Sequence, residues 1–137
     1  MNSAARISYC VTCAGAFVLA ATGIGVFALG KAPMTHWVLM AHVAAAPVFA
    51  LGLAAVALTW SGPGRSGSGG AGRMGWAATV LLWVILVCGL VVILSGVVPM
   101  TPLLGTGGQR MLYLTHRYAG IVLAAAILLH LPLRRRG

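Results

Sequence analysis

The sequence predicts an all-α, integral-membrane four-helix bundle that forms a single domain. The 137 residues are 61% hydrophobic and only 7% charged, which is the composition of a membrane protein and not of a soluble domain. Four apolar stretches are each long enough to cross a bilayer, whose hydrocarbon core is about 30 Å thick. Glycine, proline and basic residues separate these stretches, so each is expected to be one transmembrane helix.

The four spans are predicted at about residues 7–29, 34–60, 74–98 and 110–133. A short turn at residues 31–33 joins the first two. A Gly/Ser linker at residues 61–73 joins the second and third, and it contains no core-forming residue. Pro99 is expected to end the third span, and a loop over residues 100–109 with Pro102 and three glycines leads into the fourth. The first apolar run is longer than a usual signal-peptide core, so it is predicted to be a span.

The basic residues predict the orientation in the membrane. With the predicted spans, six of them fall on one side: Arg6, Arg65, Arg73, Arg134, Arg135 and Arg136. The other three, Lys31, Arg110 and Arg117, fall on the opposite side. Because the side richer in Lys and Arg is normally cytoplasmic, both termini and the Gly/Ser linker are predicted to face the cytoplasm.

The chain has no Asp or Glu. This excludes paired-carboxylate catalysis, carboxylate metal sites and a membrane carboxylic acid for proton coupling. The basic residues lie at the ends of apolar runs and form no patch with exposed aromatic residues, so we expect no nucleic-acid partner. No catalytic residue is predicted.

The last span carries two histidines, His116 and His130, which are 14 residues apart. On a helix this spacing places both imidazoles on nearly the same face and about 21 Å apart along the axis. Ionisable side chains within a membrane are costly and usually mark a site. The pair therefore suggests two stacked cofactor levels, with interhelical hydrogen bonding or a position at the membrane interface as the alternative.

His42 in the second span lies at nearly the same predicted depth as His116, roughly 12 Å and 9 Å below the outer end of the bundle. Two facing histidines at one level can supply both axial ligands of a haem iron. Small residues follow each histidine three and four positions later, which leaves room for a porphyrin: Ala45 and Ala46, and Ala119 and Gly120. A polar contact between helices is the alternative role for His42.

His36 is six residues before His42 and about 120° round the helix, so it cannot share that face. We interpret it as an interfacial residue, with a quinone or metal contact as the alternative. Cys10 and Cys13 resemble a redox or metal-binding pair, but cysteine as a small packing residue is the favoured interpretation.

These features resemble the membrane-bound b-type cytochromes. The similarity lies in four short spans, the mid-helix histidine of WVLMAHVAAAPVF, and HRYAG followed by LLH in the last span. The most similar types are the cytochrome b subunits of formate dehydrogenases and nickel-iron hydrogenases and the bacterial cytochrome b561-like proteins. The resemblance implies a bacterial inner-membrane protein in which His42 and His116 hold the outer haem b. It also implies that quinone or quinol and another redox subunit are partners.

The chain departs from this family at the inner level. There the family pairs the second histidine of the last span with a histidine near the start of span 1, and span 1 has none. Tyr9 occupies the matching place, and Cys10 and Met74 lie at about the right depth to pair with His130. We therefore predict one haem b per chain, with a second at His130 as the alternative. Tyr9 as an interfacial residue is the simpler interpretation.

Haem propionates need cations, and Lys31, Arg110 and Arg117 are the candidates on the outer side. Snorkelling to lipid headgroups is the alternative for Arg117.

The sequence thus predicts an electron-transfer subunit, rather than a complete enzyme, that connects the quinone pool to a redox partner. A second hypothesis is a haem-free protein that binds copper or another transition metal through outer Met and His residues. These residues are Met34, His36, Met40, His42, Met100, Met111 and His116. A third hypothesis is a structural or assembly subunit of a membrane complex.

The charge distribution generates a test of orientation. A reporter that is active only in the periplasm, fused after Gly137, should be inactive because the C-terminus is predicted to be cytoplasmic. Strong reporter activity would contradict the orientation and would exchange the inner and outer histidine levels.

Overall fold

The structure, a computed structural model, describes residues 3–30, 34–60 and 76–135. Within them it contains four helices: α1 (Ser3–Ala28), α2 (His36–Trp60), α3 (Trp76–Val97) and α4 (Thr106–Arg135). All four are long and apolar enough to cross a membrane, and the described residues contain no strand. The predicted all-α membrane bundle is therefore confirmed. The whole predicted linker at residues 61–73, the turn at residues 31–33 and Met74 lie outside the described residues.

The observed ends of the helices follow from glycine and proline. Gly30 adopts a positive φ of 65° just after α1, which is a common way for a helix to end. The α-helix α3 ends at Val97, two residues before Pro99. A 3-10 turn over Val98–Met100 follows directly and contains the proline. Thr101 then closes that turn through its N–H and its hydroxyl, which both donate to the Val98 carbonyl.

The predicted loop over residues 100–109 is shorter in the structure, because α4 begins at Thr106 and not near Arg110. Gly107 and Gly108 therefore lie in its first turn, where each glycine costs about 1 kcal/mol relative to alanine. The Gln109 N–H donates to the Gly105 carbonyl at 3.1 Å and satisfies one group of this turn. The glycines suggested a loop, but the hydrogen bonds of the longer helix outweigh their weak helix propensity.

The helices pack as two antiparallel hairpins, α1 with α2 and α3 with α4, which touch each other over a smaller surface. Glycines allow the close approach within the first hairpin. A Cβ atom on Gly15 would lie 3.1 Å from backbone atoms of Phe49, and one on Gly52 would collide with Thr12. Such small-residue contacts are the usual means by which transmembrane helices approach closely.

We define the outer end of the bundle as the end where α2 and α4 begin, and the inner end as the opposite one. A cluster of buried apolar residues fills the middle and the inner half: Ala16, Phe49, Leu53, Ile85, Leu123 and Ala126. Phe49 is the largest of the fully buried side chains among the described residues, with 1% of its surface exposed. Near the outer ends of the helices, Ser95 is the one buried residue among those that the structure describes. The outer half is therefore more loosely packed than the inner half.

The contact at Gly15 generates a prediction about stability. Gly15→Leu should lower the thermal unfolding temperature in detergent, because overpacking of this kind costs roughly 1–3 kcal/mol. Gly25→Leu is the matched control on the same helix, since a Cβ atom there meets nothing within 4 Å. Equal destabilisation by the two variants would contradict the close packing of α1 against α2.

Candidate functional site

His42 on α2 and His116 on α4 face each other across the two hairpins. Their ring centroids are 6.2 Å apart, and the ring planes are inclined by 66°. Both side chains are half-buried in the outer half of the bundle. The structure therefore brings together the two histidines that the sequence placed at one depth.

Thr22 on α1 fixes the orientation of the His42 ring. The threonine hydroxyl lies 2.7 Å from the Val18 carbonyl oxygen and 3.1 Å from the Leu19 carbonyl oxygen, and both can accept its single proton. The same oxygen lies 2.7 Å from His42 Nδ1. When the hydroxyl donates to a carbonyl, it accepts a hydrogen bond from His42 Nδ1–H, and the Nε2 lone pair of the neutral imidazole is then available.

The His116 ring is held in the same way by α3. Its Nδ1 lies 3.0 Å from the Val92 carbonyl oxygen and 3.2 Å from the Ser95 hydroxyl oxygen. A carbonyl only accepts hydrogen bonds, so the Nδ1 atom carries the proton and donates it. The Ser95 hydroxyl in turn donates to Val92. The Nε2 atom of His116 is thus also left with its lone pair.

This hydrogen bonding is the pattern that metal-binding histidines show, in which one ring nitrogen donates to the protein and the other binds the metal. A ring nitrogen lies about 1.2 Å from the centre of an imidazole, and metal–nitrogen bonds are about 2.0 Å long. Two imidazoles on opposite sides of one metal ion would then have centroids about 6.4 Å apart. The observed 6.2 Å fits that separation.

Glycines border both rings. A Cβ atom on Gly23 would lie 3.5 Å from His42 Cε1, and one on Gly96 would lie 3.4 Å from His116 Cε1. One turn after His116, a Cβ atom on Gly120 would meet nothing within 4 Å. Small residues on the neighbouring helices thus border both imidazoles.

The structure describes two of the three predicted propionate-binding residues, and these two differ in their surroundings. Arg117 directly follows a site histidine, and its guanidinium carbon lies 3.5 Å from the centroid of the Phe27 ring. The buried Nε atom of Arg117 has no hydrogen-bond partner among the described residues. Arg110 is exposed on the first turns of α4, and Lys31 lies outside the described residues. Arg117 is therefore the cation best placed beside the histidine pair.

His36 is separate from this pair. It is the first residue of α2, its side chain is exposed, and its φ of 52° is unusual for a residue other than glycine. The structure gives no contact that assigns a quinone or a metal to it.

The inner level is arranged differently. His130 is only 4% exposed, and it lines a cavity of about 30 Å³ together with Tyr9. Pockets for drug-sized ligands occupy about 300–1,000 Å³, so a porphyrin would require these helices to separate. Cys13 also lines the cavity, whereas Cys10 is exposed. Cys10 and Cys13, which are close in sequence, therefore lie in different surroundings.

Sequence reasoning missed the residues that orient the histidines, namely Thr22, Val92 and Ser95, and it missed Phe27 beneath Arg117. A signal was present for two of them, because isolated hydroxyl residues in an apolar span often bond to a neighbouring helix. The Val92 carbonyl gives no such signal.

The Met and His residues proposed for copper are mostly scattered. Met40, Met100 and Met111 are exposed, whereas the methyl group of Met34 lies beside Gly23 on the side of His42. The described residues contain no group of three or more His, Cys, Asp or Glu side chains that could hold a metal ion. Any metal at the outer site would thus depend on the two histidines together with a non-protein ligand or Met34.

Comparisons with known proteins give no match: no family model, curated protein or solved structure matches the chain. The resemblance to b-type cytochromes therefore stays a prediction that rests on the residues described above.

Proposed function

We propose that this chain is a membrane b-type cytochrome that passes single electrons between the quinone pool and a redox partner. The observation that carries the proposal is the facing pair His42 and His116, with centroids 6.2 Å apart and both Nδ1 atoms hydrogen-bonded. This arrangement supports two-sided ligation of one haem b through the Nε2 atoms. When bound, haem supplies a one-electron redox couple inside the membrane.

The protein's own residues would set the properties of that site. Thr22 and the Val92 carbonyl hold the imidazoles against rotation, so both rings are oriented before the cofactor binds. Arg117 lies one residue after His116, and its guanidinium could offer hydrogen bonds to a carboxylate such as a propionate. Substrate chemistry would belong to another subunit, because the chain has no carboxylate and no predicted catalytic residue.

The proposed location is the bacterial inner membrane with both termini in the cytoplasm. The four apolar helices support the membrane, and the distribution of Lys and Arg supports the orientation. In this orientation the proposed haem lies in the outer half, on the side opposite the termini.

A second candidate function is copper binding at the same outer site. The specific observation in its favour is Met34, whose methyl group lies near His42 beside Gly23. Two imidazoles and a thioether form a ligand set that suits copper. A Soret band in the purified protein would support haem, whereas stoichiometric copper without a Soret band would support this alternative.

The first test removes the proposed ligands. His42→Ala and His116→Ala should each abolish a low-spin, six-coordinate haem spectrum, because either loss leaves the iron without one axial nitrogen. His36→Ala is the matched control, and its spectrum should be nearly unchanged because that side chain is exposed at the start of α2. Pyridine-haemochrome analysis should give one haem per chain in the wild type.

Two results would contradict this assignment. Loss of the spectrum in His36→Ala with retention in His42→Ala would refute the ligand pair. A wild-type ratio near two haems per chain, reduced to one by His130→Ala, would show that the inner level also binds haem.

The second test concerns the hydrogen bonds to Nδ1. Thr22→Val should keep the haem spectrum but weaken haem retention about 10–100-fold, because loss of such a bond frees the ring to rotate. Thr101→Val is the control, since its hydroxyl bonds only to the Val98 carbonyl among the described residues. Haem-transfer kinetics to apomyoglobin would measure the difference, and equal rates for the two variants would rule out an orienting role for Thr22.

A further inference from the structure

The cavity in the inner half lies between the two hairpins. Its volume is about 30 Å³, and each of the four helices contributes to its wall. Five of its nine lining residues are aliphatic: Leu53, Val56, Leu82, Ile85 and Ile127. Leu53, Leu82 and Ile85 are at most 7% exposed, so the cavity borders the most buried part of the bundle.

The polar side chains on the wall already have partners. The Thr12 hydroxyl donates to the Ser8 carbonyl of its own helix at 2.7 Å. Tyr9, Cys13 and His130 each interact with another group of the protein. A buried water typically makes about three hydrogen bonds, and cavities with apolar walls stay dry. We therefore expect this cavity to exclude water.

We propose that the cavity binds one small apolar molecule, a dissolved gas of the size of dioxygen or a xenon atom. One water needs roughly 10–15 Å³ of such a cavity, so the observed 30 Å³ accepts a guest about two to three times as large. An empty cavity leaves its wall atoms without dispersion partners, and an apolar guest restores these contacts. Because apolar gases leave water for the hydrocarbon core of a bilayer, the membrane itself would supply the ligand.

The wall is stiff enough to keep its shape when the cavity is empty. Val56, Ile85 and Ile127 are β-branched, and such side chains in a helix are largely confined to one χ1 rotamer. They therefore cannot turn inward and fill the space. The two hairpins also touch over a smaller surface than the helices within each hairpin, so a void at their junction is not closed by tighter packing.

The test follows xenon binding to the purified full-length protein in detergent by NMR of labelled isoleucine δ1-methyl groups. Ile85 and Ile127 line the cavity, so their signals should shift with xenon pressure and saturate with one shared affinity. Ile7 and Ile24 are 64% and 38% exposed and serve as internal controls. Xenon dissolved in the detergent should shift the control signals only in linear proportion to pressure. Linear shifts at all four methyl groups would overturn the proposal.

A variant that fills the cavity provides the second measurement. Val56→Leu adds one methylene to the wall and should weaken xenon binding at least tenfold. Val87→Leu is the matched control and should keep the wild-type affinity, because Val87 is 56% exposed and does not line the cavity. Equal weakening by the two variants would refute the site. If Val56→Leu fails to fold, the comparison of methyl groups in the wild type still decides the matter.

Water is the competing occupant. A nuclear Overhauser effect from a long-lived water to the Ile85 methyl group, without a saturable xenon shift, would show a hydrated cavity and overturn the proposal. The gas site does not rest on haem binding at His42 and His116, which pyridine-haemochrome analysis measures separately. The two proposals can therefore fail independently.

Discussion

The outer half of the bundle depends on the hydrogen bonds that hold the imidazoles of His42 and His116. The apolar core of a bilayer offers no water to a polar ring, so each ring needs a partner within the protein. Each hairpin supplies its own partner: α1 provides Thr22 for His42, and α3 provides the Val92 carbonyl for His116. Each hairpin thus orients its own histidine, and packing of the two hairpins brings the imidazoles together.

The packing of the inner half makes this arrangement possible. The apolar cluster around Phe49 and Leu53 fixes the two hairpins relative to each other, and glycines such as Gly15 allow the helices to approach closely. The outer half has small residues and few buried side chains beside the histidines. The buried cluster of the inner half therefore holds the hairpins together, and the histidine pair lies at the less tightly packed end.

The absence of carboxylates shapes the electrostatics of the whole chain. A guanidinium near the membrane interior normally pairs with an acid, and here Arg117 lies over the Phe27 ring instead. A cation–π contact of this kind stabilises the charge by about 0.5–2 kcal/mol and leaves the guanidinium able to meet an anionic ligand.

The sequence by itself determined the four membrane helices and their approximate ends, because length and hydropathy decide whether a segment can span a bilayer. It also placed His42 and His116 at one depth, since helical rise is fixed per residue. Only the tertiary structure decided that Thr22 and Ser95 face the histidines, that Cys13 and not Cys10 lines the cavity, and that α4 begins at Thr106. For the residues that face the histidines and the cavity the reason is rotational, because α1, α2 and α3 are apolar on all sides and have no hydrophobic stripe to show which face meets a neighbour. The start of α4 was hidden because Gly107 and Gly108 favour a loop in the sequence.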